Sequence, residues 1–239
     1  MSKPELSVVV LCYRTEDLAR SFVDQIRKEL EAESIDYEMI LVGNYHPGLR
    51  DRTPQILHEL ASQNPRYRVI AKVKEGAMGW DMRSGLEATT GAHICVIDGD
   101  GQMPSSDIVK VYRLLQVGHY DLVKTFRSKR YDGLYRRIIT RVYNFLFHLI
   151  FRPGARLIDI NSKPKVMTRE AFKKMNLISS DWFTDAEIMI EAIDLKLKIG
   201  EVSTVFLKNE RRTSFVPPSA ILEFLKNLVY YRIKRFRRK

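Results

Sequence analysis

Short apolar runs rich in β-branched residues alternate with longer segments of helical periodicity along the first half of the chain. The runs that predict strands are "LSVVVLCY", "YEMILVG", "YRVIAKV", "HICVIDGD" and "YDLVKTF". The segments that predict the intervening helices are residues 15–32, 51–62, 77–89 and 105–117. Strands and helices that alternate at this spacing predict an α/β fold with a largely parallel sheet and helices on both of its faces.

The second half of the chain predicts further helices and a late strand. Helical periodicity covers residues 133–151 and 184–196, and "GEVSTVFLK" has the composition of a strand. A last helix is predicted in "PPSAILEFLKNLVYYRIKRF", whose prolines stand at its start, where a missing N–H costs little. Because no repeat or low-complexity linker interrupts the chain, we interpret residues 1–216 as one domain and residues 217–239 as a basic, amphipathic C-terminal helix.

Composition limits the class of protein. Apolar residues make up 45% of the 239 residues, which is enough to bury one core. No apolar run approaches the roughly 20 residues needed to cross a bilayer, and "MSKPELSVVV" lacks the features of a signal peptide. We therefore expect no transmembrane segment and no signal peptide, and a soluble or peripheral protein on the cytoplasmic side. Cys12 and Cys95 lie in predicted buried strands and are expected to be core thiols.

The net charge of +11 predicts an anionic partner, such as nucleic acid, phospholipid headgroups or a phosphorylated substrate. Basic residues cluster in "KTFRSKRYDGLYRRIITR" and in "YYRIKRFRRK", whose ten positions hold six of the 40 lysines and arginines. No RNA- or DNA-binding motif accompanies these clusters, so no specific nucleic acid partner is expected.

The stretch "CVIDGDGQMP" places Asp98 and Asp100 at the carboxyl end of the fourth predicted strand. Parallel sheets bind ligands beyond the carboxyl ends of their strands. Two carboxylates at this spacing can hold a divalent cation, which would neutralise the phosphates of a substrate. The alternative is a solvated turn, since Asp-Gly sequences favour turns on backbone grounds alone.

The segments taken together resemble family 2 glycosyltransferases, and in particular the dolichyl-phosphate mannose synthases and other polyprenyl-phosphate glycosyltransferases. The resemblance spans nearly the whole chain and implies a glycosyltransferase-A fold, a Rossmann-like arrangement typical of nucleotide-diphospho-sugar transferases. The segments that carry it are "SVVVLCYRTED", "EGAMGWDMRSGLEATTGAHICVIDGDGQMP", "DLVKTFRSKRYDGLYRRIITRVYNFLFHLIF", "DINSKPKVMTREAF" and "FTDAEIMIEAIDLKLKIGEVSTVFL". The first 216 residues would then be the catalytic domain.

The resemblance implies a metal site formed by Asp98, Asp100 and Gln102, with Mg²⁺ or Mn²⁺ as the cofactor and Asp100 nearest the diphosphate of the donor. The implied donor is a nucleotide-diphosphate sugar, and the implied acceptor is a polyprenyl phosphate such as dolichyl or undecaprenyl phosphate. A phosphate acceptor is already an anion and needs no strong base. The task of the protein would be to gather negative charges and to align them for an inverting attack at the anomeric carbon.

The resemblance also implies roles for other residues. Arg127 and Arg130, just past "YDLVKTF", would contact phosphate, and Asp185 is the preferred functional member of the acidic pair in "FTDAEI". These residues, with Asp100, are the predicted catalytic set. The predicted substrate-binding residues are Tyr13, Gly76, Gly79, Asp98, Arg136, Glu187, Arg211 and Ser214, where the phosphate contact of Arg211 could instead fall on Arg212.

Two segments depart from the family pattern. In "LVGNYHPG", Gly43 and Asn44 stand where the family usually has two acidic residues that contact the base or ribose of the nucleotide. The first turn reads "LCYR" where the family has Pro-x-Tyr-Asn, so only Tyr13 is kept. The sequence therefore does not identify the base or the sugar of the donor.

Alternative functions and the membrane contact follow from the same residues. A hydroxyl acceptor would need Asp185 as a true base, and a non-catalytic basic module that binds membranes would need no active site. Membrane contact is expected at the cytoplasmic face, with an integral membrane protein as a further predicted partner. Two amphipathic stripes could cover the core or face this membrane: Val142, Phe145, Leu146, Leu149 and Ile150, and in the tail Ile221, Phe224, Leu225, Leu228 and Tyr231. The tail is the predicted membrane-surface helix, because its stripe runs into basic residues that an anionic surface would attract.

Overall fold

The computed structural model of the protein describes residues 3–131, 133–153, 157–208 and 220–237. The described strands are β1 (Leu6–Leu11), β2 (Tyr37–Val42), β3 (Tyr67–Ile70), β4 (His93–Asp98), β5 (Leu122–Arg130), β6 (Lys165–Thr168) and β7 (Ile199–Phe206). The described helices are α1 (Asp17–Ala32), α2 (Thr53–Gln63), α3 (Met78–Glu87), α4 (Ser106–Gly118), α5 (Leu134–Phe151), α6 (Arg169–Lys174), α7 (Thr184–Asp194) and α8 (Ala220–Arg237). The alternation predicted from the sequence is confirmed.

The described strands form one sheet in the order β3-β2-β1-β4-β6-β5-β7. All neighbouring pairs are parallel except those made by β6, which runs antiparallel to both β4 and β5. The prediction of a mainly parallel α/β sheet is therefore confirmed. The apolar pattern alone did not predict β6, because its four residues are too few to show a period, although the family resemblance implies a strand near this place.

The sheet is covered on both faces, since alternate residues of its strands point to opposite sides. Val8 and Val10 of β1 pack into a core with α1 and α4, whereas Val9 packs into a second core with α3, α5, α7 and α8. Cys12 and Cys95 are fully buried, so the prediction of core thiols is confirmed. Within the described residues, no helix has the length and apolar character needed to span a bilayer.

Helix α8 is docked on the domain by side chains that recur at every fourth position, which places them on one side of the helix. Glu223 accepts a hydrogen bond from the Trp182 N–H at 3.0 Å, and Asn227 donates to Asp181 at 2.7 Å. The Tyr231 hydroxyl donates to Glu187 at 2.6 Å, and Arg235 pairs with Asp194 at 2.5 Å. The predicted boundary at residue 216 lies outside the described residues.

The tail stripe predicted from the sequence is mainly a core-facing stripe. Leu228 and Tyr231 are 1% and 5% exposed, and Phe224 packs against the core with its ring 5.3 Å from that of Tyr143 in α5. Leu225 is exposed, and the side chain of Ile221 lies outside the described part of the structure. Other apolar side chains of α8 face outward: Leu222, Val229, Tyr230, Ile233 and Phe236.

Candidate active site

The carboxyl ends of β1 and β4 lie side by side and carry the aspartate turn. The strands are parallel, and Leu11 is the partner of Asp98 in their register. The N–H of Gly99 donates a hydrogen bond of 2.8 Å to the Leu11 carbonyl, which continues the pairing into the turn. A Cβ on Gly99 would lie 3.0 Å from that oxygen and from the Cys12 sulfur, so glycine suits this close approach.

The shape of the turn is fixed by contacts within it and behind it. The Asp100 carboxylate accepts a hydrogen bond of 3.1 Å from the N–H of Gln102, as in aspartate-initiated turns. Gly101 has φ 67°, a left-handed conformation that glycine adopts without strain. The Gln102 side-chain amide donates to the Leu207 carbonyl at 3.0 Å, and the Leu207 N–H donates to the Gln102 carbonyl at 2.8 Å. The turn is thereby attached to the residue that follows β7.

A buried lysine links the aspartate turn to the first turn of α7. Lys163 Nζ lies 3.1 Å from Asp98 Oδ2 and 2.8 Å from Asp185 Oδ2, and the Lys163 side chain is only 4% exposed. Lys165 Nζ lies 2.5 Å from the other Asp185 oxygen. The structure therefore brings Asp98 and Asp185 to one site and adds two lysines that the sequence analysis did not single out.

Burial and ion pairing act in opposite directions on these groups. Burial opposes the ionisation of Asp185, but the two lysines outweigh it and hold the pKa of this carboxyl below its usual value. Burial also acts to lower the pKa of Lys163, yet Asp185 and Asp98 together raise it above its usual value. For Lys165, burial prevails and lowers the pKa to about 8. Asp185 is therefore an ionised carboxylate with each of its oxygens bonded to an amine.

The donor set at the turn suits a magnesium or manganese ion. Asp98 and Asp100 provide carboxylate oxygens, and the Asp98 side chain is 36% exposed and can be reached from solvent. Among the residues that the structure describes, no three His, Cys, Asp or Glu side chains converge on a metal position. Mg²⁺ is commonly held by one or two carboxylates together with substrate phosphates and water, which matches two carboxylates on an open turn.

Arg127, predicted to contact phosphate, forms an ion pair with Asp159. Its Nε and Nη2 lie 2.6 and 2.8 Å from the two oxygens of this carboxylate. Burial would raise the pKa of Asp159, but Arg127 outweighs it and holds the pKa well below its usual value. The buried Lys124 also donates to the Asp159 carbonyl at 2.5 Å and pairs with Glu201. Arg127 therefore fastens the segment before Lys163 to β5.

Arg130 and Arg136 lie where β5 leads into α5. Arg130 Nη1 donates to the Thr140 hydroxyl at 2.8 Å, and its guanidinium carbon lies 5.7 Å from the centre of the Phe206 ring. Arg136 is in the first turn of α5, and its carbonyl accepts a hydrogen bond of 2.9 Å from the Thr140 hydroxyl. Both residues are partly exposed, so this corner of the fold brings two partly accessible arginines together.

The Glu187 carboxylate, predicted to bind substrate, makes internal contacts. It accepts hydrogen bonds from the N–H groups of Ile178 and Ser179 at 2.8 and 3.0 Å, and from the Tyr231 hydroxyl at 2.6 Å. The residue is completely buried. Glu187 therefore holds the loop before α7 and the helix α8 together.

Gly76 and Gly79 allow the start of α3 to touch the loop before α7. A Cβ on Gly76 would lie 2.5 Å from the Ser180 carbonyl oxygen, and one on Gly79 would lie 2.5 Å from that of Asp181. The same carbonyls accept backbone hydrogen bonds of 2.8 Å from Ala77 and Gly79. The two glycines, predicted to bind substrate, therefore serve close packing between two segments of the chain, and neither has a positive φ.

A polar cluster lies at the carboxyl ends of β2 and β3. The amide of the buried Asn44 donates to Asp81 at 2.9 Å, and Asp81 pairs with Lys74. Burial raises the pKa of Asp81 and lowers that of Lys74. The Lys74 ammonium lies 4.5 Å from the centre of the Tyr13 ring. Asp81 thus supplies a carboxylate from α3 beside the β2 end, where the family's acidic pair is missing.

Packing explains why Gly43, the residue before Asn44, is a glycine. A Cβ on Gly43 would lie 2.6 Å from a methyl group of Leu57, so a larger side chain would force the Leu57 side chain to move. Arg211, Arg212 and Ser214, also named from the sequence, lie outside the described residues.

Comparison with known proteins identifies the family. The model of the family described as "Glycosyl transferase family 2" matches residues 7–177, which include all but the first residue of β1, the strands β2 through β6, and the aspartate turn. The chain belongs to glycosyl transferase family 2. The resemblance stated from the sequence is therefore confirmed.

Curated relatives include polyprenyl-phosphate sugar transferases. The chain is 25% identical over 252 residues to human dolichyl-phosphate beta-glucosyltransferase, covering 96% of this chain and 75% of the human protein. It is 29% identical over 143 residues to undecaprenyl-phosphate 4-deoxy-4-formamido-L-arabinose transferase of Edwardsiella ictaluri, covering 59% of this chain. That match covers 42% of the bacterial protein, so the chain spans less than half the length of this relative.

Solved structures with the same fold include glucosyl-3-phosphoglycerate synthase from Mycobacterium tuberculosis. Its complex with Mn²⁺, uridine-diphosphate-glucose and phosphoglyceric acid superposes with a TM-score of 0.72 at 17% identity, covering 97% of this chain and 79% of that one. Its complex with uridine diphosphate gives a TM-score of 0.71 at 18% identity, covering 97% and 80%. The predicted glycosyltransferase-A fold is thereby confirmed.

Proposed function

We propose that the protein is a metal-dependent, inverting glycosyltransferase that moves a sugar from a nucleotide-diphosphate sugar to a polyprenyl phosphate at a membrane surface. The observation that carries the proposal is the Asp98-Gly99-Asp100 turn, held at the meeting ends of β1 and β4 in a family 2 chain. The named activities of the human and bacterial relatives support the polyprenyl phosphate acceptor. Residues 1–216 would form the catalytic domain.

The residues of the turn would bind the donor through its diphosphate. Asp98 and Asp100, with Gln102, would hold Mg²⁺ or Mn²⁺ against the phosphate oxygens. The bound cation would neutralise the charge that develops on the nucleoside diphosphate as it leaves. Tyr13, Lys74 and Asp81 lie at the adjoining strand ends, where the base and ribose would be recognised.

The acceptor phosphate would be bound by the basic corner between β5 and α5. Arg130 and Arg136 both lie in this corner, and guanidinium groups suit phosphate because their planar donors match its oxygens. Attack by a phosphate oxygen at the anomeric carbon forms the new glycosyl phosphate bond as the bond to the diphosphate breaks. The nucleoside diphosphate leaves with that electron pair, and no proton has to be removed from the acceptor.

The state of Asp185 favours a phosphate acceptor over a hydroxyl acceptor. A general base must accept a proton, so its pKa should lie near the operating pH and one of its oxygens should reach the substrate. Asp185 instead has a lowered pKa and bonds one lysine through each oxygen. This arrangement suits a fixed negative charge that positions Lys163 and Lys165.

The decisive assay incubates the full chain with Mn²⁺ or Mg²⁺, a short-chain polyprenyl phosphate, and a panel of radiolabelled UDP-, GDP- and dTDP-sugars. We expect one donor to yield a glycolipid that is sensitive to mild acid, and EDTA to abolish its formation. A free glycan in place of the lipid phosphate tests the hydroxyl acceptor. If no donor is consumed while a known polyprenyl-phosphate glycosyltransferase is active in parallel, the proposed function is wrong.

The membrane contact is proposed for an apolar stripe on α5. Its members recur every three or four residues and are at least half exposed: Leu134, Ile138, Val142, Phe145 and Leu149. The exposed Arg137 and Arg141 flank this stripe, and α8 packs beside it. Apolar side chains bordered by basic ones are typical of helices that lie in the interface of anionic membranes. An integral membrane protein is a further proposed partner.

We expect Phe145→Glu combined with Leu149→Glu to weaken binding to anionic liposomes by about 10²-fold, since each buried apolar side chain contributes roughly 1.5–3 kcal/mol. The measurement is co-sedimentation of the full chain with phosphatidylglycerol-containing vesicles. The matched control is Val117→Glu, because Val117 is 80% exposed on α4, which packs on the other face of the sheet. Equal binding of both variants would exclude α5 as the membrane contact.

A further inference from the structure

Lys163 occupies an unusual position, because its ammonium group is buried between two carboxylates that come from different parts of the fold. Asp98 ends β4, whereas Asp185 lies in the first turn of α7. The Lys163 Nζ bonds both, at 3.1 and 2.8 Å. Its other near neighbour is the Met78 sulfur at 3.9 Å, which is a weak acceptor. The ammonium therefore has two strong partners, and one of them is a predicted metal ligand.

Lys165 provides an internal comparison, because it neutralises Asp185 without reaching the aspartate turn. Its Nζ lies 2.5 Å from Asp185 Oδ1 and donates to the Ser162 carbonyl at 2.7 Å. Both lysine side chains are almost completely buried, and both pair with the same carboxylate. The distinguishing property of Lys163 is the contact with Asp98.

The contact with Asp98 places a fixed positive charge beside the position that a divalent cation would take. A lysine ammonium and a metal ion are attracted to the same carboxylate and repel each other, and burial keeps solvent from screening that repulsion. A metal ion that arrives alone would have to compete with Lys163 for Asp98. A nucleoside diphosphate brings several negative charges, which attract both cations and offset their repulsion.

We propose that Lys163 is a positioning residue that makes binding of the divalent metal at Asp98 depend on the nucleoside diphosphate. The inference rests on the proposed function, because it takes Asp98 as a metal ligand. It goes further in assigning an order: the metal enters together with the donor and leaves with the nucleoside diphosphate. Such coupling between two ligands is reciprocal, so the metal tightens the diphosphate by the same factor as the diphosphate tightens the metal.

The test measures Mn²⁺ binding directly, by electron paramagnetic resonance of free Mn²⁺, with the full chain. Wild type, Lys163→Met and Lys165→Met are each titrated with Mn²⁺ alone and with Mn²⁺ plus UDP or GDP. For wild type, we expect the diphosphate to tighten Mn²⁺ binding by at least about tenfold, within the range of ordinary coupling factors. For Lys163→Met, we expect Mn²⁺ alone to bind about tenfold more tightly and the gain from diphosphate to shrink.

The matched control is Lys165→Met, which removes an equal charge from Asp185 and leaves the Asp98 contact in place. For Lys165→Met, we expect the affinity for Mn²⁺ alone to change clearly less than it does in Lys163→Met. An unchanged or weakened affinity in Lys163→Met, with its circular dichroism spectrum intact, would overturn the inference. An equal gain in both lysine variants would also overturn it, because general charge would then explain the effect.

The wild-type titration can refute the inference even if Lys163→Met does not fold. If Mn²⁺ alone binds wild type as tightly as Mn²⁺ with UDP or GDP does, no coupling exists and the role of Lys163 is refuted. If Mn²⁺ binds under neither condition, the metal site itself is absent and the proposed function falls with the inference. If the diphosphate tightens Mn²⁺ binding in wild type and in Lys165→Met but not in Lys163→Met, the result supports both the role of Lys163 and the proposed function.

Discussion

Asp100→Asn should lower sugar transfer by about 10²–10³-fold while the chain stays folded. A metal-bound carboxylate that stabilises the charge on a leaving diphosphate contributes several kcal/mol to the transition state, and each 1.36 kcal/mol corresponds to roughly tenfold in rate. Asparagine keeps the size of the side chain and an acceptor oxygen for the Gln102 N–H, which Asp100 bonds at 3.1 Å. The turn should therefore keep its shape and lose only the charge.

The measurement is the rate of transfer as a function of Mn²⁺ concentration, alongside the same titration of Asp98→Asn. For Asp98→Asn we expect the main effect on Mn²⁺-dependent donor binding. Asp24→Asn is a suitable control, because Asp24 is a surface carboxylate of α1 that pairs with Arg27 and Lys28. Full activity of either turn variant would show that its carboxylate is not a metal ligand.

The position of the aspartate turn could be predicted because it depends on local signals. An apolar run predicts β4, and Asp98 and Asp100 follow it directly, so the carboxyl edge of a parallel sheet was the expected place. Arg127 and Arg130 were expected just past the next strand, but β5 extends to Arg130, so both lie within it. Strand ends are fixed by the pattern of a few neighbouring residues, and the alternating topology then determines which ends meet.

The ion pairs behind the turn could not be predicted, because they join residues that are distant in sequence. Lys163 and Lys165 meet Asp185 across 22 and 20 positions, and Arg127 meets Asp159 across 32. No spacing rule connects such residues. A signal was present in retrospect: "DINSKPKVM" places two lysines in a segment that leads into a buried strand, where a charge needs a partner.

The orientation of the C-terminal helix α8 could not be predicted from the sequence pattern either. Helix α8 carries apolar side chains on more than one side, with Leu228 buried and Val229 57% exposed. Periodicity identifies a helix and its apolar positions, but it does not state which of two apolar sides faces the core. The polar contacts of Glu223 and Asn227 with the loop before α7 decide the orientation. Because α8 is part of the packed domain, point substitutions are better tests of membrane binding than truncation.

Asp185→Ala should reduce the free energy of unfolding by about 3–5 kcal/mol, since removal of one partner of a buried ion pair leaves an uncompensated charge. Asp185 is 2% exposed and bonds Lys163 and Lys165, so both ammonium groups would lose a partner. Urea unfolding followed by circular dichroism measures the effect. Asp194→Ala is the control on the same helix, because the pair of Asp194 with Arg235 is partly exposed and should cost about 1 kcal/mol or less.

The double variant Asp185→Asn with Lys165→Met separates the structural role of Asp185 from a catalytic one. It removes one negative and one positive charge from the same buried site, so we expect it to be more stable than Asp185→Asn alone. If Asp185 only positions the lysines, folded Asp185→Asn should retain transfer to a phosphate acceptor within about tenfold. A loss of roughly 10²–10⁴-fold in the folded protein would instead match removal of a general base. That outcome would favour a hydroxyl acceptor and contradict the role assigned here to Asp185.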